Sequence, residues 1–95
     1  GELACIWLAR LDGYVRDGWE DTMPSNDRIK EKYVDGIPRV RDSLEYVKKH
    51  SAYRYVFQKV DRDTKFIFKG LYKLNPAASN VNTRYFDLIS DTADF

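Results

Sequence analysis

The feature that most constrains this chain is a pair of alternating segments, Tyr53 to Val60 and Lys65 to Leu74, joined by the polar residues Asp61 to Thr64. Side chains along a strand point to opposite faces in turn, so period-two alternation marks a half-buried strand. Two such runs across a short polar link predict an antiparallel hairpin. Pairing Val60 with Lys65 gives a register in which Phe57 faces Phe68, Tyr55 faces Gly70 and Tyr53 faces Tyr72. With Phe66 added, one face is almost wholly aromatic. A ring lying over a strand glycine is a way to cover it. The other face is mixed and pairs Gln58 with Ile67, Val56 with Lys69 and Arg54 with Leu71. A one-residue slip would put lysines among the rings, so the pattern resists slippage.

The rest of the chain is read around that hairpin. Leu3 to Leu11 is nearly continuous in apolar residues and is expected to be a strand buried on both faces. Asp12-Gly13 predicts a tight turn, Tyr14 to Arg16 a short returning strand, and Asp17-Gly18 its end. Glu20 to Pro24 reads as a loop. Ser25, Asn26 and Asp27 are good helix N-caps, and Ile29 and Tyr33 lie four apart, as on one face of a short helix. Pro38 precedes a second helix, Arg39 to His50, with Val40, Leu44 and Val47 as its apolar stripe. Asn75-Pro76 ends the hairpin, because proline cannot donate to a ladder. Residues 77–82 read as a loop or one helical turn, Thr83 to Ile89 as a last strand, and residues 90–95 as a terminal segment with the makings of an edge strand. The expected fold is α+β: a strongly bent, mostly antiparallel sheet or partial β-barrel, with two short helices packed against it.

At 95 residues the chain can bury one core, so residues 1–95 form a single domain. The start at Gly1 fits a domain excised from a longer protein or a tag remnant, and no signal peptide pattern is visible. A single cysteine, Cys5, excludes an internal disulfide and points to a reducing, cytoplasmic setting. No apolar run approaches the roughly 18–20 residues of a membrane span. The net charge of +1 hides an asymmetry. Residues 1–27 carry 2 basic and 6 acidic side chains, residues 28–73 carry 13 and 6, and residues 74–95 carry 1 and 3. A basic middle between acidic ends suggests a bipolar surface.

Catalytic motifs are missing. With one histidine, most metal cages and imidazole acid–base pairs are excluded, and His50 at a helix end reads as a C-terminal cap. Nothing near Cys5 would lower its pKa, so it reads as an inert thiol. Asp61-x-Asp63 lacks evident further oxygen ligands for a cation and reads as an ordinary hairpin loop. Glu20 and Asp21 are adjacent and would face opposite ways in a strand, so they read as solvated. No metal, no cofactor and no catalytic residue are expected.

What the chain does offer is aromatic rings interleaved with basic side chains. Trp19 sits in a polar stretch with no apolar periodicity to explain it, and Tyr14 is close by. Trp19 reads either as a plug at one end of the core or as one wall of a cleft, whereas Trp7 reads as core. Tyr53, Tyr55 and Tyr72 stand on the aromatic face, where they are core or line a pocket that stacks a flat ligand. Arg54, Lys65, Lys69 and Lys73 lie on the hairpin as phosphate contacts or as charges that protect a strand edge.

The strands Tyr53 to Gln58, Phe66 to Leu74 and Arg84-Tyr85-Phe86, with the Phe-x-Gly-x-Tyr step of residues 68–72, resemble those of small PUA-like β-barrel modules. The likeness covers about a third of the chain. Such modules accompany nucleic-acid processing or restriction systems and can read modified bases in an aromatic pocket. The resemblance implies a non-catalytic nucleic-acid-binding module, a reader of single strands or modified bases. Two alternatives stand beside it: a protein-interaction or self-assembly domain that pairs through a hairpin edge, and an enzyme fragment whose catalytic residues lie elsewhere.

Overall fold

The computed structural model describes residues 4–39, 43–60 and 65–92. Seven strands and one helix are described: β1 (Ala4–Ala9), β2 (Asp12–Arg16), β3 (Trp19–Ser25), β4 (Arg28–Tyr33), α1 (Leu44–His50), β5 (Tyr53–Val60), β6 (Lys65–Leu74) and β7 (Thr83–Ser90). They form one sheet in the order β1-β5-β6-β7-β4-β3-β2. Only β1 and β5 run parallel; all other neighbours are antiparallel. β1 and β2 stand at opposite edges, yet only Arg10 and Leu11 separate them in sequence. Such a short link forces the sheet to curl until its edges approach. No β1–β2 ladder closes it among the described residues, so the sheet is bent but open.

Register shifts in the β5–β6 and β6–β7 ladders contribute to the bend. In β5–β6 the register runs from Val60↔Lys65 to Phe57↔Phe68 and then jumps to Val56↔Gly70, leaving Lys69 as the extra residue. In β6–β7 it shifts between Leu71↔Ser90 and Tyr72↔Leu88. An extra residue on one strand bends it and raises its twist. Gly70 permits the jump. Its φ is +139°, and a Cβ there would lie 2.6 Å from both Leu88 Cδ1 and the Ser90 carbonyl oxygen. The expected cover of Gly70 by Tyr55 is therefore corrected: Tyr55 pairs with Leu71, and Gly70 is packed by β7. The bulge also turns Tyr72 to the face of Val56, away from Phe57 and Phe68, so the single aromatic face is split.

One face of the curled sheet holds the core. Ala9, Ile29, Val56, Tyr72, Leu74 and Phe86 are buried there with Leu11, and Val47 of α1 joins them. Val56 sits on the hairpin face that the sequence reading took as mixed, and that face is the inner one. β1 is not buried on both faces: Ile6 is 68% and Leu8 58% exposed. Residues 19–33 correct the reading further. Trp19–Ser25 is a strand rather than a loop, and Arg28–Tyr33 pairs with both β3 and β7 rather than forming a helix. Ser25 to Asp27 serve the turn, where the Ser25 hydroxyl donates to Asp27 at 2.7 Å.

The helix is shorter than expected and starts after a cap. The Ser43 hydroxyl accepts from the Tyr46 amide at 3.2 Å, which fixes the first turn. Lys48, Lys49 and His50 close the last turn, and the His50 ring lies 4.2 Å from that of Tyr46. Residues 40–42 and the Asp61-x-Asp63 loop lie outside the described residues, as does the end of the terminal segment. No helix among the described residues is long and apolar enough to cross a membrane.

Candidate functional site

Cross-strand registry sorts the inner face into rows. Trp19 of β3 pairs with Tyr33 of β4. Two residues along, Asp21 pairs with Glu31, and Glu31 pairs in turn with Arg84 of β7. The next row is Ile29, Phe86 and Leu74. The inner face thus passes from aromatic through charged to apolar within a few residues.

At the aromatic and charged end is a cavity of about 320 Å³. It lies where the edges β1 and β2 approach each other. Trp7, Trp19, Asp21 and Glu31 form its inner wall, and the more exposed Tyr14, Leu8 and Phe66 stand around it with Arg10, Arg16, Asp17 and Lys59. The β2–β3 turn builds one side. Asp17 (φ +53°) and Gly18 (φ +86°) sit between the paired Arg16 and Trp19, a two-residue turn of the kind that suits strand twist. Gly18 also lets the Tyr33 ring come close: a Cβ at that position would meet Tyr33 Cε1 at 2.5 Å. Tyr33 in turn meets Trp19 edge-on, with ring centroids 4.9 Å apart.

Each tryptophan of the pocket is held from behind by an arginine. The Arg84 guanidinium lies 4.5 Å from the Trp19 ring centroid. The Arg54 guanidinium lies 4.7 Å from Trp7 and 4.3 Å from Phe86. Stacking of this kind fixes ring orientation and is worth more when desolvated. Arg54 also donates from Nε to the Ser51 carbonyl at 3.2 Å and stands 3.6 Å from Glu31 Oε1. The Arg54 and Glu31 side chains are each only 11% exposed, so this ion pair is shielded from water.

Asp21 is the unusual group. Burial first, and the neighbouring Glu31 carboxylate second, push its carboxyl up to about 9, against the opposing pull of Arg54. Its Oδ1 is buried with no hydrogen-bond partner. At neutral pH Asp21 is therefore an uncharged acid beside a carboxylate that Arg54 holds in place. Nearer the mouth, Arg10 bonds Asp12 at 2.8 Å and lies 4.2 Å over the Tyr14 ring. That hydrogen bond from Arg10 holds the Asp12 carboxyl below its usual range.

Of the residues singled out in the sequence, the pocket brings together Trp19 and Tyr14. Tyr53 and Tyr55 are half-buried on the outer face, where Lys73 Nζ lies 5.2 Å from the Tyr53 ring. Tyr72 is 0% exposed and belongs to the core. Arg54 points inward to Glu31 rather than outward. Lys65 and Lys73 are exposed on β6 and Lys69 occupies its bulge; none of the three lines the pocket. Sequence reasoning did not find Trp7, Asp21 and Glu31 as site residues. The available signal was spacing: Asp21 is two residues from Trp19, and Glu31 is two from both Ile29 and Tyr33, so each shares a face with its ring in a strand. Reading residues 19–33 as loop and helix hid it.

No family model matches the chain, and no curated protein matches it. Among solved structures, it is similar to the 5-hydroxymethylcytosine-specific restriction enzyme AbaSI, with 26% sequence identity and a TM-score of 0.66. The match covers 90% of this chain but only 28% of that enzyme, so the chain corresponds to a minor part of it. A likeness to a restriction enzyme agrees loosely with the PUA-like resemblance of residues 53–86 and does not define a family more closely.

Proposed function

We propose that this domain binds nucleic acid and takes one extruded base, a modified base in its natural target, into the pocket between β1 and β3. The observation that carries the reading is the pocket itself: two tryptophans on rigid strands, each backed by an arginine, with buried carboxyls at its base. A cavity of about 320 Å³ is at the small end of ligand sites and suits one flat ring. A base inside a duplex must leave the stack to be read this way. Arg10, Arg16 and Lys59 at the pocket supply positive charge for the flanking phosphates. The likeness to an enzyme specific for 5-hydroxymethylcytosine supports a base as the occupant and a modified cytosine as the first to try. The restriction enzyme's cleavage activity is not part of the proposal, since the match reaches only 28% of that protein.

The test is binding of duplexes that differ only in one central base: cytosine, 5-methylcytosine or 5-hydroxymethylcytosine. Affinity is expected to fall as salt rises, because phosphate contacts release counterions. Trp19→Ala is expected to weaken binding by about 10- to 100-fold, in line with base stacking worth roughly 1–3 kcal/mol. Undetectable binding at low salt overturns the proposal, and so does a Trp19→Ala variant that binds as well as the original.

A further inference from the structure

Three carboxyls line the pocket, and two of them, Asp21 and Glu31, belong to its inner wall. Asp21 and Glu31 are register partners on adjacent antiparallel strands, so their side chains stand together on the inner face. Their surroundings differ. Glu31 faces Arg54 of β5 at 3.6 Å and pairs in register with Arg84 of β7, so it has a cationic partner that Asp21 lacks at that distance. Asp21 has Glu20 and Glu31 as acidic neighbours, is drawn down only by Arg54, and keeps its proton. Other charged groups at the pocket, Arg16 and Asp17 of the β2–β3 turn and Arg10 and Lys59 beyond, are on its more exposed side. One member of the pair therefore donates and the other accepts.

We infer, on the premise that the pocket takes a base, that Asp21 and Glu31 act together as a donor–acceptor pair selecting a ring edge with a bare ring nitrogen beside an exocyclic amino group. Cytosine and adenine carry that edge. Asp21 donates to the ring nitrogen, and Glu31 accepts from the amino group. Uracil and thymine present a ring N–H and an oxo group at the same places, which turns both contacts into mismatches. A buried mismatch of this kind is costly, because it leaves polar groups unpaired. Asp21 Oδ1, buried with no hydrogen-bond partner, is an atom that such a ligand would satisfy. The competing occupant is an organic cation, which two carboxyls inside an aromatic box would attract. The arginines argue against it. Trp7 and Trp19 already carry a guanidinium on one face, which lowers the pull of the other face on a second cation.

The test uses duplexes with one central cytosine or uracil opposite an abasic site, so that extrusion costs the same in both. At pH 7 cytosine is expected to bind about tenfold or more tightly than uracil, the range of a good two-bond base contact. Asp21→Leu is expected to remove that preference. Wild-type affinity for cytosine is expected to fall as pH rises through about 9, while Asp21→Asn, whose amide always donates, shows no such fall. Equal binding of the two bases, with both weakened by Trp19→Ala, overturns the donor–acceptor pair and leaves the base pocket standing. Insensitivity to both the base and Trp19→Ala overturns the pocket reading itself. Tetramethylammonium that binds the free protein and displaces cytosine identifies a cation site and overturns the pair.

Discussion

Two neighbouring rows of the same inner face behave in opposite ways. Ile29, Phe86 and Leu74 are at most 2% exposed and pack against Val56 and Tyr72. In the next row, Asp21, Glu31 and Arg84 put three ionisable groups on the same face, with Glu31 and Arg84 buried and Asp21 half-buried. The first row gains by removing apolar surface from water, roughly 25 cal/mol per Å². The second pays desolvation and recovers part of it through the ion pair with Arg54. Replacing buried charges of this kind by apolar side chains is often neutral or stabilising, so the charged row is weak support for the fold. The contrast separates the part of the face that holds the fold from the part that the proposal assigns to a ligand.

The largest test of that division is Phe86→Ala. It should destabilise the domain by about 3–5 kcal/mol in urea unfolding, as deletion of a fully buried ring does. Trp19→Ala, at a half-buried site, should cost about half of that or less. Comparable losses would mean that Trp19 is a core residue and the division is wrong.

The charged row makes a pH-dependent prediction. The folded chain holds the Asp21 proton up to about 9, whereas an unfolded carboxyl releases it near 3.8. Between those values the folded state binds more protons, so the contribution of this group to stability falls as pH rises and levels off above about 9. Asp21→Asn does not titrate. Its stability relative to the wild type should therefore grow between pH 5 and 9, by more than about 1.4 kcal/mol, the worth of one pKa unit. Parallel stability profiles for the two proteins would show that Asp21 is an ordinary solvated carboxylate.

The smallest effect belongs to Tyr72→Phe. The Tyr72 hydroxyl is buried without a hydrogen-bond partner, and burial raises its pKa. Removing it should leave stability unchanged or raise it by up to about 1 kcal/mol, with nucleic-acid binding unaffected. A loss of binding would place Tyr72 back among the ligand contacts.

How much of this was legible in the sequence follows the same division. The β5–β6 hairpin could be read because its apolar alternation is nearly unbroken, and its first pairs, Val60↔Lys65 and Phe57↔Phe68, stand as predicted. The later pairs do not, because a bulge changes register by one residue without changing the composition of either strand. Gly70 was the visible mark of it. Ile29 and Tyr33 suggested a helix because a spacing of four fits a period of 3.6 and a period of two alike. The residue between them that would have decided the matter, Glu31, is charged and so spoiled the alternation. Asp21 did the same between Trp19 and Met23. In both strands, the side chain that hid the secondary structure is one that lines the pocket. Local pattern and global fold disagree most at the proposed site.

The most direct test of a base in this pocket uses the protein's own tryptophans. There are two, Trp7 and Trp19, and both line the cavity. A duplex carrying one 5-hydroxymethylcytosine should quench their emission along a saturating curve that matches the binding curve from anisotropy, because a stacked base contacts these rings. Binding by anisotropy with unchanged tryptophan emission would put the nucleic acid elsewhere on the surface and contradict the account.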